Sequence, residues 1–346
     1  MSNDQLYIQR CLQLAALGSG QVAPNPLVGC VIIADGKIIG EGYHRQFGEA
    51  HAEVNAIDAV KDKSLLGRAT LYVNLEPCSH FGKTPPCTDL IISSGIRKVV
   101  IGMQDPFAGV NGSGIRKLRE AGIEVICSVL EDECLLLNKR FVCAHTRKRP
   151  YLILKWAQSS DGITGNGKER VQISNSLSKI IGHKWRSEES GILIGAGTAA
   201  IDDPELNTRH WQGASPVRII LDRSGNLCGK SNLKIFDGQQ RTLIYTQQEN
   251  YNYSNAEVIP LSAFTPFLPA LLSHLQQAGI HSLLVEGGPL THRQFLEQQL
   301  WDECRIFISN KIIGQGISAP AIPQGKIHLT SIGDNQLFEI VNQQPA

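Results

Sequence analysis

Apolar positions along this chain follow two rhythms, and the switch between them divides it into elements. Leu6, Ile8, Cys11, Leu12, Leu14, Ala15 and Leu17 recur at helical spacing, and Gly18-Ser19-Gly20 ends the run. The stretches 28–33 and 37–40 flank Asp35-Gly36, a pair suited to the left-handed conformations of a tight turn, and so predict a hairpin. A helix at 50–60, a strand at 69–75, a helix at 88–94, a strand at 98–102, a helix at 115–121 and a strand at 123–129 follow. That alternation implies an α/β/α sandwich. Arg147-Lys148-Arg149-Pro150, basic and closed by proline, then separates two apolar regions, giving expected domains 1–145 and 150–346. Beyond it a second alternating series begins. Strands are predicted at 151–157, 191–195, 217–222, 242–246, 282–286 and 305–309, with helices at 177–188, 266–278 and 291–300.

Composition narrows the classes. At 346 residues, 42% hydrophobic and 19% charged, the chain holds enough apolar material for two cores. Its net charge of +1 lacks the basic excess of a protein built to hold nucleic acid. No apolar run approaches the roughly 18 residues that cross a bilayer, and Met1-Ser2-Asn3-Asp4 does not open a secretory signal. The expectation is a cytoplasmic protein in which the nine cysteines are reduced thiols or metal ligands.

Cys78 and Cys87 stand apart from the other cysteines. They sit in Glu76-Pro-Cys-Ser-His-Phe-Gly-Lys-Thr-Pro-Pro-Cys87, downstream of His51-Ala52-Glu53. A catalytic zinc ion takes three soft or imidazole ligands and leaves its fourth position to water. It lowers the pKa of that water from near 16 to about 7. His51, Cys78 and Cys87 supply such a set. Glu53, two residues along a helix from His51, points to another side and is placed to carry protons between the water and a leaving nitrogen. A structural site would want a fourth ligand, not a free carboxylate. Cys87 follows Pro85-Pro86 at a predicted helix start, where the dipole favours a thiolate. Eight residues separate the two cysteines, against two in the general Pro-Cys-x-x-Cys deaminase pattern.

Pro24-Asn25-Pro26-Leu27-Val28-Gly29, Gly42-Tyr43-His44, His51-Ala52-Glu53, Leu75-Glu76-Pro77-Cys78, Gly82-Lys83-Thr84-Pro85-Pro86-Cys87 and Asp105-Pro106 occur in this order. The set closely resembles the bifunctional deaminase–reductases of riboflavin biosynthesis. The resemblance implies a cytidine-deaminase-like α/β/α sandwich followed by a dihydrofolate-reductase-like α/β domain. It implies Zn2+ and NADPH as cofactors. It further implies deamination of 2,5-diamino-6-ribosylamino-pyrimidinone 5′-phosphate and then reduction of its ribosyl chain to ribityl. Asn25 would hold the pyrimidine, although a turn residue between two prolines is an equally ordinary reading.

The second half carries the family's reductase pattern in Leu154-Lys155, Asp161-Gly162, Gly195-Ala-Gly-Thr198, Asp202-Asp203-Pro204, Thr208-Arg209, Leu221-Asp222-Arg223 and Glu286-Gly-Gly-Pro-Leu-Thr291. Lys155 among apolar neighbours needs a partner, and Glu286 or Asp202 would form a buried acid–base set with it. Ala157, Thr198, Asp202, Arg223, Gly288, Pro289, Leu290 and Thr291 are the implied cofactor contacts. For Arg223 a surface arginine after a strand is the plainer reading. Arg186, Leu206, Arg209 and Glu286 are the implied substrate contacts, the arginines because a sugar phosphate needs cations. The family's Trp-Ile-Thr-Ser is here Gln172-Ile173-Ser174-Asn175. The expected partners are a small-molecule substrate and further copies of the chain, with no nucleic acid and no membrane.

Overall fold

In the computed structural model described here, residues 2–343 are placed except 82–84, 108, 169–170, 249–250, 254 and 263. The Gly82-Lys83-Thr84 part of the cysteine loop therefore lies outside the described residues. The chain divides into two compact units, Met1–Lys148 and Arg149–Ala346.

The first unit is built on a five-stranded sheet. Helix α1 (Asn3–Ala16) leads into strands β1 (Gly29–Ala34) and β2 (Lys37–Tyr43). Asp35 and Gly36 both take positive φ, which closes the predicted hairpin. Helix α2 (Ala52–Ala59), β3 (Thr70–Leu75), α3 (Cys87–Ser93), β4 (Lys98–Met103), α4 (Ser113–Glu120), β5 (Glu124–Ile126), α5 (Glu131–Leu137) and α6 (Lys139–Thr146) follow. The sheet order is β2-β1-β3-β4-β5, with β3, β4 and β5 parallel. One face buries Ile32, Val73, Val99 and Ile101 beneath α2, α3 and α4. The other buries Val31, Val100 and Met103 against Ile8, Cys11 and Leu14 of α1. The strand predicted at 123–129 stops at Ile126, because Ser128 and Leu130 turn to left-handed φ and redirect the chain into α5.

The second unit centres on a nine-stranded sheet. Its elements are β6 (Tyr151–Gln158), β7 (Ile163–Gly165), α7 (Ser176–Glu188), β8 (Gly191–Gly195), α8 (Ala196–Asp202), β9 (Val217–Leu221), β10 (Thr242–Thr246), β11 (Glu257–Pro260), α9 (Phe267–Gln277), β12 (Ser282–Val285), α10 (Pro289–Glu297), β13 (Glu303–Ser309), β14 (Ile317–Ser318), β15 (Lys326–Ile332) and β16 (Asn335–Val341). Strand order is β11-β10-β9-β8-β12-β6-β13-β16-β15. The run from β11 to β13 is parallel and the closing β16–β15 hairpin antiparallel. Leu152, Leu193, Ile219, Leu243 and Leu283 are wholly buried in this sheet, as strands covered on both faces require. The hairpin β15–β16 lacked a sequence signal, since β15 keeps most of its side chains exposed.

Candidate active sites

In the first unit, two elements converge on one point. His51 caps α2 and Glu53 lies in its first turn. Gly42 of β2 fixes how closely that helix sits, because a Cβ there would stand 2.4 Å from Ala56 N and 2.7 Å from Ala52 O. Cys87 opens α3, and Cys78 lies in the loop after β3. The Nδ1 of His51 is 3.6 Å from Cys78 Sγ and 3.3 Å from Cys87 Sγ. All three donor atoms fall within 4.8 Å of one another. A tetrahedral zinc ion with ordinary Zn–S and Zn–N bonds spaces such donors roughly 3.5 Å apart, so the residues fit the ion. The Cys87 amide donates to Cys78 Sγ at 3.3 Å. The Cys87 thiol, then the His51 imidazole and this amide, push Cys78 down to about 4, so the helix start expected to favour a Cys87 thiolate serves Cys78.

Glu53 is 3% exposed, and burial together with the Cys78 sulfur raises its pKa. A carboxyl so placed is tuned to take up and release a proton. Asn25, on the loop before β1, meets His44: Nδ2 to Nε2 is 3.0 Å. The other ring nitrogen of His44 is 3.1 Å from the Ala50 carbonyl, to which Nδ1–H donates, leaving Nε2 to accept from the Asn25 amide. Burial lowers the His44 pKa and so favours this neutral ring. His44 also meets the His51 ring edge-on at 5.4 Å.

Sequence reasoning gave Glu76 no role. Its buried carboxylate accepts from the main-chain N–H of Asp105 at 3.1 Å, Gly112 at 3.0 Å, Gly114 at 2.8 Å and Ile115 at 3.2 Å. It pins the Cys78 loop to the start of α4. The one available signal was a carboxylate placed directly after a buried strand and two residues before a metal ligand.

In the second unit a cleft of about 800 Å³ runs along the carboxyl ends of the parallel strands. Lys155, Ala157, Thr198, Asp202, Arg223, Gly288, Pro289, Leu290, Thr291, Arg186, Arg209 and Glu286 all line it, and so does Gln172. Leu206 does not; it packs in the core with Ile192, Ile220 and Leu227, so a substrate could meet only its main chain. Glu286 joins Lys155 and Arg186. Arg186 grips its carboxylate with two hydrogen bonds, at 3.0 and 2.8 Å, and Lys155 Nζ lies 3.8 Å away. Burial opposes ionisation of Glu286, yet Arg186 and Lys155 outweigh it and pull the group down to about 2. Arg186 is therefore engaged by Glu286, and Arg209 is the more open cation, held by Asn207 Oδ1 at 2.7 Å and Glu205 at 3.5 Å.

His183 was also missed. It is 3% exposed, one turn before Arg186, lines the cleft and is pushed down to about 4 by burial and by Arg186 and Arg209. Two glycines of the cleft let its loops pack against neighbouring threonines, and a third leaves its main chain open to a ligand. A Cβ at Gly195 would sit 2.9 Å from Thr291 Oγ1, one at Gly288 would sit 3.0 Å from Thr198 Oγ1, and Gly197 faces open space. These features fit NADPH, whose diphosphate needs close main-chain approach.

Comparison with known proteins places this geometry. Residues 1–103 match the cytidine and deoxycytidylate deaminase zinc-binding region, and residues 150–341 match the RibD C-terminal domain. Riboflavin biosynthesis protein RibD of Aquifex aeolicus (strain VF5) is 40% identical over 91% of this chain and 89% of its own length. The chain belongs to the RibD family of riboflavin biosynthesis proteins. The RibD of Escherichia coli (strain K12) is 34% identical over 90% of this chain and 89% of its own. Among solved structures, the Thermotoga maritima deaminase/reductase superposes with a TM-score of 0.88 at 39% identity, covering 98% of both chains. Acinetobacter baumannii RibD gives 0.88 at 32% identity over 99% of both. As a RibD protein this chain is a bifunctional deaminase and reductase that uses Zn2+ and NADPH.

Proposed function

We propose that a deaminase domain, residues 1–145 of the first unit, deaminates 2,5-diamino-6-ribosylamino-pyrimidinone 5′-phosphate, and that a reductase domain, residues 150–346 of the second, reduces the ribosyl chain of the product. The observation that carries the first half is the meeting of His51, Cys78 and Cys87 within 4.8 Å, with Glu53 buried beside them. Zinc bound there supplies a Lewis acid that makes water nucleophilic at neutral pH. His51 and the two sulfurs hold the ion. Glu53 takes the water's proton and returns it to the departing amino group. Asn25, oriented by His44, presents its amide to the pyrimidine edge.

In the second unit NADPH supplies the hydride. The sugar C1′ becomes electrophilic once the ring opens, and a proton must then be placed on the atom that gains electrons. Glu286, held ionised by Arg186, orients the site, and the Lys155 ammonium is the proton store. Arg209 faces the substrate phosphate.

The chain works in the cytoplasm as a homo-oligomer. Free thiols, including two on a zinc site, suit a reducing compartment. No helix among the described residues is long and apolar enough to cross a membrane. Strand β15 ends the large sheet with Ile327 and Leu329 each 52% exposed, a surface that a second copy would cover. The purified, zinc-replete chain is expected to release one ammonia per diaminopyrimidine nucleotide and then to oxidise one NADPH. Ammonia release absent under those conditions would end the reading.

A further inference from the structure

We propose that Arg218 is a positioning residue for the reductase: from outside the cleft it pins the loop 203–209 and so aims Arg209 at the substrate phosphate. This rests on the reading of Arg209 as the cation that faces that phosphate. Strand β9 is covered on both faces, and each of its positions would ordinarily be apolar. Its second residue is instead Arg218, which is wholly buried. A charge in such a place is costly unless it is paired and its donors are matched. All five N–H groups of the guanidinium are matched. Nε and Nη2 donate to the Glu205 carbonyl at 3.0 and 2.7 Å, Nη1 donates to the Ile235 carbonyl at 3.3 Å, and the Asp237 carboxylate accepts one bond from each Nη, at 2.7 and 3.1 Å.

Two donors on one carbonyl fix the orientation of the peptide that leads into Leu206. That residue has a φ of 55°, a left-handed conformation unfavourable for leucine, and its side chain is sunk in the core with Ile192 and Ile220. From the backbone on either side of it, two side chains reach Arg209. Asn207 Oδ1 accepts from the Arg209 guanidinium at 2.7 Å, and the Glu205 carboxylate lies 3.5 Å from it. The Asn207 amide donates to the same carboxylate at 2.9 Å and locks the brace. The Asn207 carbonyl accepts from Arg186 at 3.1 Å. The loop is therefore held at two carbonyls, by Arg186 inside the cleft and by Arg218 behind it. Arg209 lines the cleft with 32% of its side chain exposed, so its long side chain has rotamer freedom to lose when it meets an anion. A pinned brace removes that freedom beforehand. Without the fork on Glu205 the strained turn at Leu206 can relax, and the brace moves with it.

The test is steady-state NADPH oxidation by the full chain with the deaminated pyrimidine nucleotide, in wild type, Arg218→Lys, Arg209→Ala and the double variant. A lysine keeps the charge beside Asp237 but cannot also fork across the Glu205 carbonyl. Arg209→Ala should raise the KM for the nucleotide by roughly 10-fold or more. Arg218→Lys should raise it by roughly 3- to 10-fold and leave kcat and the KM for NADPH within about twofold. On top of Arg209→Ala, Arg218→Lys should add less than about twofold, because the group it positions is gone. An unchanged nucleotide KM in Arg218→Lys, a KM for NADPH that rises in step, or two effects that multiply in full would overturn the proposal and leave Arg209 in its role. If Arg209→Ala itself leaves the nucleotide KM unchanged, the reading of Arg209 falls and the proposal with it. Should Arg218→Lys not fold, Asp237→Asn, made at a carboxylate 24% exposed, decides by the same cycle.

Discussion

Each of the two carboxylates proposed for catalysis, Glu53 and Glu286, owes its state to its immediate neighbours. Glu53 is raised above the ordinary carboxylate range by burial and the Cys78 sulfur. Glu286, with 11% of its side chain exposed, is kept ionised by Arg186 and Lys155. Replacing Glu286 with Gln should abolish most NADPH turnover and leave ammonia release intact, which parallel assays of the two activities would show. The same change strands the Arg186 charge, 14% exposed, and should destabilise the second unit by about 3–5 kcal/mol. The sign of the pH dependence follows from the shift. A carboxylate whose folded pKa is about 2 contributes stability above its ordinary value and loses it as pH falls toward 2. The stability gap between wild type and Glu286→Gln, followed by thermal unfolding of the full chain, should therefore narrow steadily on acidification from pH 6 to about 3.5. A gap that widens would contradict the ionised Glu286.

Elements position these residues through close main-chain approaches. Helix α2 carries both His51 and Glu53, and its seating depends on the bare Cα of Gly42. A Gly42→Val substitution should push the helix outward, so zinc content and ammonia release should fall together while NADPH oxidation of a deaminated substrate persists. The Glu76 clamp acts on the other side of the site. Converting it to Gln faces an amide donor toward main-chain N–H groups and loosens the anchor of the Cys78 loop, so zinc affinity should drop by roughly tenfold. The motifs were legible at this scale because metal chemistry demands fixed residue types at fixed local spacing. Glu76 was not, since its four amide partners lie 29 to 39 residues away and are main-chain groups that carry no side-chain signature. Arg186 shows the same limit from the opposite side. An arginine's charge is visible in the sequence, but its capture by Glu286, 100 residues on, belongs to the fold.

Across the whole molecule, the strand rhythm foretold the first sheet and strands β6, β8, β9, β10, β12 and β13 of the second, where strands buried on both faces read as unbroken apolar runs, and it passed over β11 and β16. It did not foretell β15, whose positions face solvent and carry mixed residues. Helix α8 was equally silent, since two glycines near its start hide it from helical periodicity. In the proposed mechanism the metal ligands and the proton carrier are separate groups on separate positions. Chelation of zinc from the full chain should stop ammonia release and spare NADPH oxidation of the deaminated pyrimidine. The sharpest measurement sets zinc per chain against ammonia release for His51→Ala, Cys78→Ser, Cys87→Ser and Glu53→Gln. The three ligand variants should lose metal and activity together, and Glu53→Gln should keep its zinc while ammonia release drops by roughly a hundredfold or more. A Glu53→Gln protein that still releases ammonia at the wild-type rate, or ligand variants that stay active without the ion, would contradict it.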